Sequence, residues 1–84
     1  NAYTISNGEY EVIEAEIIET SELINKELKN SNLPDEIRIG AVLRDKKIII
    51  PRSNFVFKKD DRVVFLAKKN LISFVENIFR LSSV

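Results

Sequence analysis

Apolar and polar residues alternate along most of this chain, and the period changes where the elements should change. From Tyr10 to Glu19 the period is two. Ile13, Ala15 and Ile17 fall on one face and Glu14 and Glu16 on the other, which predicts a strand. Val12 and Ile18 interrupt the polar face at its two ends, so this strand is apolar on both sides. Thr20 and Ser21 are good N-cap residues, and Glu22 suits the positive end of a helix dipole. Leu23, Ile24 and Leu28 then make a helical stripe with Lys26, Lys29 and Asn30 mostly off it. A short helix is predicted, ending near Asn30-Ser31-Asn32. Leu33-Pro34 forbids its continuation, because the residue before proline avoids the helical region.

The cleanest alternation runs from Glu36 to Arg44. It places Ile37, Ile39, Ala41 and Leu43 on one face and Arg38, Gly40, Val42 and Arg44 on the other. Asp45-Lys46 reads as a two-residue hairpin turn. Lys47 to Ile50 is the return strand, closed by Pro51, which is tolerated at a strand end. Arg52 to Asn54 reads as a loop. Phe55-Val56-Phe57 is a short extended piece able to drop an aromatic onto the core. Lys58 to Asp61 is a polar corner, and Arg62 to Ala67 the last strand. Asn70 is placed to cap a final helix whose Leu71, Phe74, Val75, Ile78 and Phe79 recur at spacings of three and four, fraying at Ser82-Ser83-Val84.

Residues 1–9 read as a lead-in. Asn1-Ala2 without an initiator Met has the look of a protease scar, so a domain over residues 10–84 cut from a longer protein is expected. The order β-α-β-β-(β)-β-α fits an α+β fold. A small, mostly antiparallel (mixed) sheet of about four strands with two helices is expected.

Composition narrows the picture. The 84 residues make one domain that buries roughly 60–65% of its unfolded surface, a marginal core. Cysteine is absent, so very regular packing and association through an apolar face are the available reinforcements. Thirteen basic residues balance thirteen acidic ones, which argues against nucleic acid as a partner. No apolar run approaches the ~20 residues of a membrane span, and a cytoplasmic location is expected.

The chemistry is sparse. Histidine and cysteine are both absent, which removes the common nucleophile pairs and zinc sites and points away from an enzyme. Glycine occurs only at Gly8 and Gly40, so there is no glycine-rich phosphate loop and no NAD- or ATP-binding fingerprint. Asp60-Asp61 reads as a pair of turn residues. Arg38, Arg44 and Arg52 are weak candidates for binding an anionic ligand, set against a solvated face. Val12, Ile18, Gly40 and Val42 are candidates for a dimer interface, Gly40 because a glycine in mid-strand permits close approach.

Several segments resemble the TrkA-C domain, the C-terminal half of the RCK module that regulates potassium conductance. They are Leu33-Pro34, Ile39-Gly40-Ala41-Val42-Leu43-Arg44, Ile50-Pro51, Asp60-Asp61-Arg62-Val63-Val64-Phe65-Leu66, Lys69 and Phe74-Val75-Glu76-Asn77-Ile78-Phe79. The resemblance covers the chain from about Glu11 to its end. Asp60 stands where many members have glycine, as does Asn25. The resemblance implies a homodimerising regulatory domain that couples effector or nucleotide state to a membrane-embedded potassium transport subunit. It would lie on the inner face of the membrane. It also implies that NAD or ATP binds only an N-terminal half, and that a small effector such as a cyclic dinucleotide or a cation binds some members. It identifies no ligand residues here. The alternatives are a ligand-sensing domain of another cation channel or antiporter and, further off, an accessory domain of an enzyme.

Overall fold

The computed structural model describes residues 2–5 and 8–80. Five strands form one antiparallel sheet: β1 (Ala2–Ile5), β2 (Tyr10–Glu16), β3 (Ile37–Arg44), β4 (Lys47–Ile49) and β5 (Arg62–Lys68). Their spatial order is β1-β2-β5-β3-β4, so the last strand in sequence lies at the centre. One helix, α1 (Ile72–Arg80), follows β5 through a 3-10 turn at Lys69–Leu71. The class is α+β, as the hydrophobic pattern predicts. The sheet has one strand more than expected, and one α-helix rather than two is present among the described residues.

The extra strand is β1, which falls in the segment read as a lead-in and pairs with Tyr10–Ile13 of β2. The missing helix is the one expected after Ser21. Asn25 adopts φ 63°, a left-handed conformation that breaks a helix in its middle. The backbone of this segment bonds instead to the stretch before the polar corner. Asn25 N–H donates to Phe57 O, Phe57 N–H to Lys26 O, and Leu28 N–H to Phe55 O, at 2.8–3.0 Å. Only a 3-10 turn at Leu28–Asn30 remains. Pairing with Phe55–Phe57 has overridden the local helical stripe. Ser21 acts as a local cap. Its Oγ accepts from Leu23 N–H at 3.1 Å and donates to Ile78 O at 2.7 Å, tying this turn to α1. Asn70, expected to cap the last helix, sits inside the 3-10 turn. The fraying expected at Ser82-Ser83-Val84 lies outside the described residues.

The Asp45-Lys46 hairpin forms without glycine, both residues having positive φ (51° and 67°), the pairing of a type I′ turn. In β3 the register with β5 slips between Ile39 and Ala41. Gly40 is the extra residue of a β-bulge. Up to Ile39 the odd-numbered residues face the core; beyond it Val42 takes that face, opposite Val63. The expected face assignment is therefore right for Ile37 and Ile39 and inverted for Ala41 to Arg44.

The core lies between α1 and one face of the sheet. Ile17, Ile37, Val42, Val63, Phe65 and Ala67 meet Val75, Ile78 and Phe79, with Leu23 and Phe57 closing the end. Phe65 and Phe79 stack with centroids 4.9 Å apart. Phe57 is fully buried, as its extended context predicts.

Candidate functional site

The other face of the sheet has no helix over it among the described residues. The registers place Val12 beside Leu66 and Leu66 beside Arg38, then Glu14 beside Val64 and Val64 beside Ala41. Arg62 stands beside Leu43, and Leu43 beside Ile48. Val12, Ala41, Leu43, Val64 and Leu66 are half-buried, and Ile48 is 72% exposed. Ile50, just beyond β4, is equally exposed. This is a band of aliphatic side chains across the sheet with charges at its margins. Glu14 and Arg62 form an ion pair within it at 2.8 Å. Isolated exposed apolar residues need no explanation, but a contiguous band is the usual mark of an interaction surface.

The sequence candidates are only partly brought together. Val12 lies on this open face. Gly40 is exposed at the bulge, and a Cβ built there would meet only Val64 O at an ordinary 3.6 Å. Close packing within the monomer therefore does not require glycine. Val42 is corrected: the bulge turns it into the core, where it is fully buried and offers no surface to a partner. Ile18 is set apart from Val12 and lines a groove between β2 and α1.

The arginines do not converge. Arg38 is exposed on the open face, whereas the bulge directs Arg44 to the opposite face, and Arg52 is exposed in the loop after β4. The shared face expected for Arg38 and Arg44 is thus corrected. Arg44 is instead committed to Asp61. Its Nε and Nη2 donate to the two carboxylate oxygens, each at 2.7 Å, and Nη2 also donates to Val56 O at 2.8 Å. Its guanidinium carbon lies 4.7 Å from the centroid of the Phe55 ring. Lys58 N–H donates to Asp61 at 2.8 Å, so this carboxylate, 1% exposed, accepts three bonds.

The bond to Asp61 raises the pKa of Arg44 above the ordinary arginine value, against the opposing effect of burial. The stabilisation is complete below the ordinary value and fades only as pH rises through the raised one. Asp60, beside this pair, is held at φ 73°. Asp60 and Asn25, the two positions where the resemblance implies glycine, are both left-handed, the conformation that favours glycine.

This corner lock is what sequence reading missed. The pattern makes Asp61 a turn residue, and its N–H donating to Lys58 O at 3.2 Å fits that, but its burial against Arg44 depends on the bulge. Gly40 in mid-strand was the available signal.

Among the described residues no group of acidic side chains gathers to hold a metal ion. No helix of these residues is long and apolar enough to cross a membrane.

The family profile described as the TrkA-C domain matches residues 12–80. The chain is 39% identical over 80 residues to the Trk system potassium uptake protein TrkA of Azorhizobium caulinodans, covering 95% of this chain and 18% of that protein. It is 35% identical over 77 residues to TrkA homolog 1 of Methanosarcina mazei, covering 92% of this chain and 17% of that protein. It thus spans less than a fifth of the length of these relatives. Two solved structures share the fold. The RCK_C domain dimer of S. agalactiae BusR in complex with c-di-AMP has a TM-score of 0.72 at 22% identity, covering 84% of this chain and 97% of that one. The structure of an RCK domain with cda has a TM-score of 0.69 at 17% identity, covering 82% and 97%.

Proposed function

The chain belongs to the TrkA-C domain family, and from that premise we propose that it is a regulatory, non-catalytic domain of a potassium uptake system. It acts as a homodimer on the cytoplasmic side of the membrane, passing the state of an effector or nucleotide to the transport subunit. The observation that carries this reading is the aliphatic band on the open sheet face. A second copy seated on Val12, Val64, Leu66 and Leu43 would remove from water the apolar surface that the monomer leaves half-exposed. Isologous pairing of one face with itself is the commonest route to a dimer. A chain this small also gains more than most from such reinforcement.

As a coupler, the domain can transmit no more free energy than the difference in effector affinity between its two arrangements. A stiff sheet and a docking face suffice for that work. The solved BusR structure holds c-di-AMP, so a cyclic dinucleotide is the first effector to try here, followed by nucleotides and divalent cations.

Light scattering tests the dimer. The wild-type protein is expected at twice the monomer mass, and Leu66→Lys, which sets a second cation beside Arg38, is expected at the monomer mass with its fold intact. A wild-type monomer at high concentration would remove this reading. A thermal-shift screen with c-di-AMP tests effector binding, since a ligand selective for the folded state raises the melting temperature.

A further inference from the structure

Two connections lie off the sheet, and each is held largely by the other. Residues 17–36 join β2 to β3, and residues 50–61 join β4 to β5. Their middles meet as a small antiparallel ladder. Asn25 N–H donates to Phe57 O at 2.9 Å, Phe57 N–H to Lys26 O at 3.0 Å, Leu28 N–H to Phe55 O at 2.8 Å and Lys29 N–H to Ser53 O at 2.9 Å. Glu27 and Val56 form the bridge between the two pieces. The inner end of the ladder is anchored, because Leu23 and Phe57 are buried in the core. The outer end has no such anchor: none of residues 26–30 and 53–56 is buried.

A single polar tether joins this outer end to the sheet. Among the described residues, the only hydrogen bond from residues 26–31 or 53–56 to a strand of the sheet is that from Arg44 Nη2 to Val56 O, at 2.8 Å. The same guanidinium lies over the Phe55 ring, 4.7 Å from its centroid, and its two bonds to Asp61 fix its position. Residues 26–31 are bracketed by Asn25 and Asn32, both left-handed at φ 63° and 58°, so the chain turns sharply at each end of the piece. Exposed backbone bonds and few buried apolar contacts mark the parts of a protein that move at low free-energy cost. A two-stranded ladder is also marginal on its own.

The outer end is also a wall. Leu28, Lys29 and Ser31 line one side of a cleft of about 290 Å³, and Ile37, Arg38 and Ile39 of β3 line the other. We propose that residues 26–31 and 53–56 form a lid beside this cleft, hinged at Asn25 and Asn32 and tethered shut by Arg44. Opening breaks one hydrogen bond and one cation–ring contact, and it loosens the partial packing of Leu28 and Phe55 on the core. It leaves the ladder's own bonds and the five-stranded sheet intact. The cleft therefore has two widths within one fold, by a hinge motion of a small packed unit. Arg44 serves two elements at once: it fixes the corner through Asp61 and sets the wall of the cleft through Val56 and Phe55.

Relaxation dispersion of the backbone amides in isotope-labelled protein reads such a motion on the microsecond-to-millisecond scale. One exchange process with a common rate is expected over residues 26–31 and 53–56, and none along β2 and β5. Arg44→Met is expected to raise the open population by about tenfold, since it removes both the bond to Val56 and the ring contact. Phe55→Leu removes the ring contact and leaves the Asp61 pair in place, so it serves if Arg44→Met fails to fold, and a rise of about threefold is expected. Arg62→Met, which breaks an ion pair away from the lid, is expected to change nothing there. No exchange process in the wild type or in either lid variant would overturn the proposal. So would different rates for the two stretches, or a process that spreads to β2 and β5 and so reports unfolding of the whole domain. Neither Arg44 nor Phe55 belongs to the open face, so the dimer reading and the lid fail independently.

Discussion

Asp61 and Glu16 are acidic residues at the same end of the β2–β5 pair, Glu16 opposite Arg62 and Asp61 just before it, and the molecule treats them in opposite ways. Asp61 is withdrawn from water and takes two bonds from Arg44 and one from the Lys58 backbone. Glu16 is exposed, and its side chain has no ion-pair partner among the described residues. The corner uses charge to fix a chain reversal, and it completes every bond that burial demands. The end of β2 keeps its charge in water. A small domain has few kilocalories to distribute. Here the polar bonding is concentrated at the corner that joins Phe57 to β5, while the carboxylate at the end of β2 stays in water.

The contrast breaks most readily at the corner. Arg44→Met leaves the Asp61 carboxylate buried without its cation, and a loss of about 3–5 kcal/mol is expected in urea denaturation. A loss below about 1 kcal/mol would show that the corner is no lock. Asp60→Gly sharpens the same point in the other direction. It relieves a left-handed non-glycine residue and is expected to stabilise by up to about 1 kcal/mol, partly offset by the greater freedom of glycine in the unfolded chain. Glu16→Gln should change stability by no more than about 0.5 kcal/mol, since an unpaired surface charge carries little. A larger loss there would mean that the Glu16 carboxylate is engaged in the folded monomer.

Much of this organisation was legible in the residues, and the illegible parts share a cause. The hairpin at Asp45-Lys46, the polar corner, the buried Phe57 and the final helix all follow from short-range pattern. The helix expected between Ser21 and Asn30 failed because its stripe is equally well satisfied by pairing with Phe55–Phe57, a contact some 30 residues away in sequence. Asn25 marked the break, but only its left-handed geometry gives that mark meaning. β1 was hidden because Thr4, Ser6, Asn7 and Gly8 favour loops locally, while its pairing is supplied by β2. The corner lock was hidden because it needs Arg44 on the face that strict alternation denies it. The open face was partly visible: Val12 lies on it, but Val42 does not, and Ile18 lines the groove instead.

Gly40 has a consequence for how this strand tolerates change in length as opposed to change in identity. β3 is in effect two short pieces spliced out of phase by one residue. Exchanging Gly40 for alanine meets nothing closer than Val64 O at 3.6 Å. Deleting it would restore an unbroken alternation that keeps the existing pairs, Ile39 opposite Phe65, Ala41 opposite Val64 and Val42 opposite Val63, so Val42 would stay in the core and Arg44 on the side of Asp61. A gap at this position in a natural variant would therefore leave the corner standing, with β3 as one unbroken strand.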